Sequence, residues 1–212
     1  MSGKKILVLG ATGGTGQQVV LQGLEQGHEV TAFVRSPERL TAKSDRLRVL
    51  RGDVTQDADA LTAAVRGQDT VISALGVGTS FKPGALIARS VPLIVRTMES
   101  AGVRRLIFTS AYGVGETWQD LPLLPRIFGR TLLRHVYADK EAGERELRRS
   151  GLDWTLVHPV TLTDGPRTGR YRVGERLKLS GVPRISRADV ADFLLKQIDD
   201  RTYVRKSVLV SG

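Results

Sequence analysis

Residues 5–16 read KILVLGATGGTG, an apolar run that passes directly into a glycine-rich turn. The run is typical of a buried strand. Glycines at positions 10, 13 and 16 let the chain turn tightly, let the backbone approach a phosphate and let the next helix pack close to the strand. The first turn of that helix offers free N–H groups and a partial positive charge. We therefore predict that a dinucleotide pyrophosphate is held by Gly10, Thr12, Gly13, Gly14, Thr15 and Gly16.

The rest of the chain repeats this alternation of apolar runs and helical patterns. The apolar runs are Lys5–Leu9, Glu29–Val34, Leu47–Leu50, Thr70–Leu75, Arg105–Thr109 and Trp154–Val157. Helical spacing of apolar residues occurs over Gly16–Gln26, Asp57–Arg66, Leu86–Ala101 and Lys140–Arg149. Strands that are apolar on both faces and separated by helices form a parallel sheet covered on both sides. We predict an α/β fold of the Rossmann type, a doubly wound parallel sheet in a single domain over residues 1–212.

Two segments show neither an apolar run typical of a strand nor the apolar spacing of a helix. Residues 111–124 follow the fifth predicted strand, and residues 159–185, which are rich in glycine, proline and arginine, follow the sixth. Ligands of open α/β sheets bind outside the carboxyl ends of the strands, where both segments begin. We predict that they form the walls of a substrate pocket.

The end of the second strand distinguishes the two nicotinamide cofactors. Proteins that bind NAD place a carboxylate there for the ribose hydroxyls, whereas an arginine suits the 2′-phosphate of NADP. This chain has Arg35 and Ser36 at that point, with Arg39 one helical turn further on. The sequence therefore favours NADPH over NADH.

Four further positions predicted to bind the cofactor follow the third and fourth strands. Asp53 and Val54 come after the third strand, and Leu75 and Gly76 come after the fourth. We expect Asp53 to lie near the adenine amine and Gly76 near the ribose. The alternative for Asp53 is an ordinary helix cap.

Composition excludes several other classes of protein. There is no cysteine, and the three histidines have no metal-ligand spacing, so we expect no metal site. The formal charge is +10, with seven basic residues and one acid between Arg167 and Arg187. Few aromatic residues accompany these arginines, so nucleic-acid binding is the weakest interpretation. No apolar stretch is long enough to cross a membrane, and the fold begins too early for a signal peptide, so we expect a cytoplasmic protein. A monomer is favoured over an oligomer.

These motifs resemble the atypical short-chain dehydrogenase/reductase superfamily, and within it the NAD(P)H-binding group that includes biliverdin-IXβ and flavin reductases. The resemblance extends over essentially the whole chain and includes GATGGTG at residues 10–16 and TDGPRTGRY at residues 163–171. It implies that Ser110 is the active-site serine and that Lys140 binds the ribose or assists a proton donor. Many relatives carry a proton-donating tyrosine four residues before this lysine. Here Tyr137, the candidate for that catalytic role, precedes Lys140 by three, a spacing that still leaves both side chains on one broad helix face. His158 and Pro159, at the end of the sixth strand, are assigned to the cofactor site, with a structural histidine as the alternative.

The resemblance implies an NADPH-dependent reductase that passes hydride to a planar, conjugated and anionic acceptor, such as a flavin or a linear tetrapyrrole. We expect this acceptor to bind Tyr112, Trp118, Arg167 and Arg170. The alternative is a regulatory protein that senses NAD(P)H without turnover and presents its basic stretch to a partner.

Overall fold

A parallel sheet forms the centre of the fold in a computed structural model of the chain, which describes residues 3–76, 85–120 and 134–212. Within these ranges the strands are β1 (Lys5–Leu9), β2 (Glu29–Val34), β3 (Leu47–Arg51), β4 (Thr70–Ser73), β5 (Arg105–Thr109), β6 (Asp153–Pro159), β7 (Thr161–Thr163), β8 (Arg172–Gly174), β9 (Arg184–Ser186) and β10 (Lys206–Ser211). The α-helices of the same ranges are α1 (Gly14–Glu25), α2 (Ala58–Val65), α3 (Leu86–Ser100), α4 (Arg134–Arg149) and α5 (Arg187–Lys196).

The main sheet has the strand order β3-β2-β1-β4-β5-β6-β10-β8. Every neighbouring pair from β3 to β10 is parallel, and β8 pairs antiparallel with β10 at the edge. A separate pair of short parallel strands joins β7 to β9. The strand order reverses beside β1, whose neighbours are β2 and β4, and such a switch point opens a ligand crevice at the carboxyl ends of the strands. The predicted doubly wound Rossmann-type fold is confirmed.

The sheet separates two apolar cores, because successive residues of a strand face opposite sides. On β5, Leu106 and Phe108 enter the core under α2, α3 and α4, whereas Ile107 enters the core under α1 and α5. Residues 6–9 of β1 and 106–108 of β5 are fully buried, which explains why these parts of the strands read as continuous apolar segments.

The structure corrects the predicted pattern in its C-terminal third. Residues 159–185 are not irregular throughout, since they contain β7, β8 and most of β9. These strands escape prediction because each has only three residues, too few for a period. Two further elements, α5 and β10, are not predicted from the sequence. The helix α5 packs beside α1, and β10 extends the sheet beyond β6. In the other predicted pocket wall, a 3-10 helix spans Gly115–Asp120, and residues 121–124 lie outside the described residues.

Candidate functional site

The glycine turn after β1 has the geometry that the sequence predicts. Gly10 has a φ of +77°, and a side chain there would place its Cβ 2.6 Å from the carbonyl oxygen of Ala74. A Cβ on Gly16 would lie 2.1 Å from the carbonyl oxygen of Gly10. Both positions therefore require glycine, the first for its left-handed backbone and the second for the close approach of α1 to the turn.

Gly13 differs from these two glycines because the space in front of it is free. The nearest atom to a Cβ built there is the Gly10 carbonyl oxygen at 3.4 Å, an ordinary contact. Gly13 is the N-cap of α1, and within the described residues no side chain caps this helix and no acid lies in its first turn. Its N–H groups and its positive dipole end are thus available to an anion. These features fit the pyrophosphate of a dinucleotide.

A cavity of about 260 Å³ extends from this turn along the ends of β1, β2 and β4. Its lining brings together many of the residues predicted to bind the cofactor, namely Gly10, Thr12, Gly13, Arg35, Arg39, Val54, Leu75 and Gly76. Thr15 is buried within α1, and Ser36 is the N-cap of a short 3-10 helix, Pro37–Arg39, at the same end of β2. The cavity thus begins at the phosphate-binding turn and ends at two arginines.

Asp53 is held at the arginine end of this cavity. Its Oδ1 accepts hydrogen bonds from the amide (2.8 Å) and the hydroxyl (2.7 Å) of Thr55, and its Oδ2 lies 3.9 Å from Nη1 of Arg35. Burial by itself would raise the pKa of Asp53, but these bonds and the nearby positive charges hold it below the ordinary value. The N-cap of α2 is Asp57, so Asp53 stabilises a turn and does not cap the helix.

A cluster of buried polar side chains lies behind the carboxyl end of β5. The Ser110 hydroxyl donates to Oε1 of Glu144 at 2.5 Å, and the same carboxyl oxygen lies 3.4 Å from Nε2 of His158. Nη2 of Arg148 approaches the other oxygen at 3.7 Å. The Glu144 side chain is 2% exposed, and this burial raises its pKa, although the bond from Ser110 and the nearby cations oppose the shift.

Lys140 is buried beside this cluster. Its Nζ lies 3.4 Å from the carbonyl oxygen of Thr109, the last residue of β5. Burial lowers the pKa of Lys140 to about 8, against the opposing influence of Glu144 and Asp139. The carboxylate of Asp139 accepts from the amides of Ile87 and Ala88 at the start of α3, so the segment of α4 that carries Lys140 is fixed against α3.

His158 occupies the interior of the cluster and is fully buried. Its Nδ1 lies 3.4 Å from the hydroxyl of Thr117, and burial lowers its pKa to about 3, so the imidazole is neutral at pH 7. The assignment of His158 to the cofactor surface therefore needs correction, because the side chain points from β6 into the core that contains Leu156. Pro159, next to it, accepts a backbone bond from Tyr112 through its carbonyl group.

Glu144 is the residue that sequence reasoning missed. It follows Lys140 by four positions, a spacing that puts both side chains on one face of α4. That spacing also suits an exposed ion pair. Glu144 is instead buried, because α4 packs closely against Gly115. Gly115, with φ +57°, approaches so closely that a Cβ there would lie 2.8 Å from Oε2 of Glu144.

The aromatic residues of the predicted pocket fall on two sides of the fold. Trp118 and Tyr137 form an edge-to-face pair with ring centroids 5.9 Å apart. They line a cavity of about 440 Å³ with Gly113, Val114, Gly115, Arg134, Ala138 and Glu141. Burial raises the pKa of Tyr137. Tyr112 instead packs against the core under α1 and α5, so the structure does not bring it to Trp118.

The arginine-rich stretch lies against α1 and α5 instead of the Trp118–Tyr137 cavity. Nη1 of Arg167 lies 3.4 Å from Oε1 of Gln22 and 3.7 Å from Oε2 of Glu25, in the last two turns of α1. Arg170 is exposed. These contacts do not place Arg167 in the predicted pocket, because the stretch is held by α5, where Asp189 accepts from the amides of Thr168 and Gly169.

The described part of the chain has neither a metal-binding cluster nor a membrane-spanning helix. No group of three or more histidine, aspartate or glutamate side chains there could hold a metal ion. No helix in the same ranges is both long enough and apolar enough to span a bilayer.

Comparison with known proteins identifies the family of this chain. A family model described as NAD(P)H-binding matches residues 10–201. An uncharacterized chloroplastic protein of Arabidopsis thaliana is 32% identical over 181 residues, which are 78% of this chain and 62% of that protein. The photosystem II assembly factor Ycf39 of Synechocystis is 24% identical over 220 residues, 98% of this chain and 62% of its own length. The chain thus spans less than two thirds of either relative.

Among solved structures, the anaerobillin reductase ChuY of Escherichia coli O157:H7 is similar to this chain with a TM-score of 0.80 and 25% identity. The alignment covers 97% of this chain and 96% of ChuY. The similarity therefore extends over nearly the whole length of both chains.

Proposed function

This chain belongs to the NAD(P)H-binding family, and we propose that it is an NADPH-dependent oxidoreductase that reduces a planar, conjugated, anionic acceptor. Flavins and linear tetrapyrroles are the acceptor classes that we favour. Similarity to a reductase with the same extent of chain supports the reaction class, and the contacts below support the cofactor and the acceptor.

The choice of NADPH rests on the far end of the 260 Å³ cavity. Arg35 and Arg39 line it, and the residues that end β2 include no carboxylate. Guanidinium groups bind a phosphate through charge-assisted hydrogen bonds. Asp53 lies near Arg35 and keeps its side chain oriented until a phosphate replaces the carboxylate as its partner.

The residues at the other end of the site have separate tasks. A reduced nicotinamide bound there supplies a hydride. Lys140 is anchored at the end of β5, where its ammonium group can donate to the ribose hydroxyls. The turn from β5 into Ser110 is held by a bond of 2.7 Å from the Ser110 amide to the Val157 carbonyl, so the reacting face is rigid.

The observation that carries the acceptor class is the position of Tyr137. Its ring packs against Trp118, and the position four residues before Lys140 is Val136. The tyrosine that would protonate an alkoxide is therefore displaced, which favours an acceptor whose conjugated system takes the hydride over a carbonyl substrate that is reduced to an alkoxide. The aromatic pair provides a surface for a planar molecule.

A second candidate function is an NAD(P)H-sensing or partner-binding role without turnover. It is favoured by the exposed basic residues between Arg167 and Arg184, which form a positively charged surface. Similarity to an assembly factor is consistent with such a role.

The experiment that separates the two functions is NADPH oxidation with a panel of flavin mononucleotide, quinones and biliverdin. A reductase turns over at least one of these acceptors, with Michaelis constants that rise with salt because salt screens the attraction between acceptor and protein. Tight NADPH binding without turnover of any acceptor would favour the sensor.

A further inference from the structure

The buried cluster behind Ser110 can hold one additional proton between His158 and Glu144. Nε2 of His158 is buried and has no hydrogen-bond partner among the residues that the structure describes. The atom facing it at 3.4 Å is Oε1 of Glu144. The Thr117 hydroxyl donates to the Val114 carbonyl at 2.8 Å, so it can only accept from Nδ1 of His158, which places the imidazole hydrogen on Nδ1 and a lone pair on Nε2. That lone pair and a carboxylate oxygen repel each other, and a proton between them removes the repulsion.

The surroundings of Glu144 decide which group holds this proton. The groups that face its carboxyl come from four elements: Lys140 and Arg148 on α4, Ser110 after β5, His158 on β6, and Glu116 in the 3-10 helix. Arg148 is shared with Glu116, at 3.4 Å, and Lys140 is directed to Thr109. Burial raises the pKa of Glu144 and lowers that of His158. The carboxyl group is therefore the member of the pair that carries the proton.

A path leads from this proton to the reacting face. The oxygen of Glu144 that faces His158 is the same one that bonds to the Ser110 hydroxyl at 2.5 Å. Ser110 directly follows Thr109, the end of β5, so this residue, which is 4% exposed, lies at the carboxyl edge of the sheet. Tyr137 is turned to Trp118 and is not on this path.

We propose that Glu144 stores the proton consumed in the reduction and passes it through the Ser110 hydroxyl to a tetrapyrrole acceptor. The inference rests on the proposed reductase function. Hydride adds to a carbon of the conjugated system, and the displaced electron pair moves to a ring nitrogen. On acceptor binding the Ser110 O–H turns from Glu144 to that nitrogen and delivers its proton, while the Ser110 oxygen takes the proton of Glu144 across the 2.5 Å contact. Solvent later restores the proton to Glu144, so the sum is one NADPH, one acceptor and one proton converted to NADP⁺ and the reduced acceptor.

Ser110 is thus the residue that contacts the acceptor, and Glu144 acts through it. A flavin can leave as its anionic hydroquinone and does not need this proton, whereas a tetrapyrrole nitrogen does. The relay therefore predicts a difference between two acceptors in the same protein, which a purely structural role of Glu144 would not produce.

The test compares Glu144→Gln, Ser110→Ala and the control Glu146→Gln, which removes a carboxylate from the same helix outside the cluster. Turnover is measured with biliverdin and with flavin mononucleotide. General acid catalysis typically contributes 10²–10⁴-fold, so we expect kcat with biliverdin to fall about 100-fold in Glu144→Gln. Flavin reduction and the dissociation constant of NADPH should stay within about twofold of wild type, well below that range. In wild type, kcat with biliverdin should fall as pH rises through the pKa of Glu144, and this limb should vanish in Glu144→Gln.

Infrared spectroscopy of the protein alone gives a second readout that needs no turnover. We expect a carboxylic acid band at neutral pH that is present in wild type, Ser110→Ala and Glu146→Gln and absent in Glu144→Gln. The lack of this band in wild type would overturn the relay, as would unchanged biliverdin turnover in Glu144→Gln. Wild-type reduction of flavin but not of biliverdin would overturn the relay and leave the proposed function standing. Reduction of neither acceptor would overturn both.

Discussion

Replacing Arg35 with alanine tests the cofactor preference at the point where NADPH and NADH differ. A hydrogen bond to a charged group contributes about 1.5–3 kcal/mol. The Arg35 side chain is 70% exposed and must give up its 3.9 Å pair with Asp53 when a phosphate binds. An exposed pair of this kind is worth up to about 1 kcal/mol. The net loss for NADPH should therefore be about 0.5–2 kcal/mol, or roughly 2- to 30-fold in the dissociation constant.

Titration calorimetry with both cofactors provides the measurement. NADH has no 2′-phosphate, so its affinity should change less than twofold, a small fraction of the loss expected for NADPH. Arg48→Ala is the matched control, because it removes the same charge from an exposed position of β3. Equal losses of NADPH and NADH affinity in Arg35→Ala, or an equal loss in Arg48→Ala, would refute the assignment of Arg35 to the phosphate.

Three other perturbations follow from the site. Gly13→Val should keep its fold by circular dichroism and lose NADPH binding, whereas Gly16→Ala should be destabilised by about 1–3 kcal/mol in urea unfolding because its Cβ meets the Gly10 carbonyl; the opposite order would show that the phosphate site is misplaced. Burial lowers the pKa of His158 from 6.5 to about 3, so its contribution to the free energy of unfolding should be fully present above pH 6.5. Below that pH, the free energy of unfolding should fall by about 1.4 kcal/mol per pH unit. Urea unfolding of His158→Asn should lack this pH dependence. Lys140→Met should weaken NADPH and NADH equally in calorimetry, and in wild type both affinities should fall above pH 8 as Lys140 loses its charge; a loss for one cofactor only would contradict a ribose contact.

The sequence predicts the first two thirds of the fold well because local patterns determine it. The glycines of the first turn are required by residues close to them in sequence. A side chain at position 16 would clash with Gly10 and Ala11, six and five residues away. Residues 6–9 of β1 and 106–108 of β5 are all apolar because both faces of these strands are buried. In contrast, the three-residue strands β7 and β9 exist only because the sequence-distant segments pair with each other, which no local period can indicate.

The same distinction between local patterns and sequence-distant contacts applies to the candidate site. Residues of the cofactor cavity follow strand ends, so the order of strands is enough to place them together. Arg167 was predicted from charge and position in a loop, but its partners on α1 are more than a hundred residues away in sequence. Glu144 gave the same signal as many exposed glutamates four residues after a lysine, and only burial by the Gly113–Gly115 segment gives it a chemical role.

The offset of Tyr137 by one residue explains why a proton source is needed elsewhere. A shift of one residue turns a side chain about 100° around the axis of a helix. Lys140 and Glu144 lie on the face of α4 that packs behind β5, so the residue one turn before Lys140 on that face is Val136, which has no proton to give. Tyr137 is rotated to Trp118 at the neighbouring cavity. An acceptor that needs a proton must then obtain it from a group that α4 does direct towards Ser110, and among the described residues the carboxyl of Glu144 is within hydrogen-bond distance of that hydroxyl.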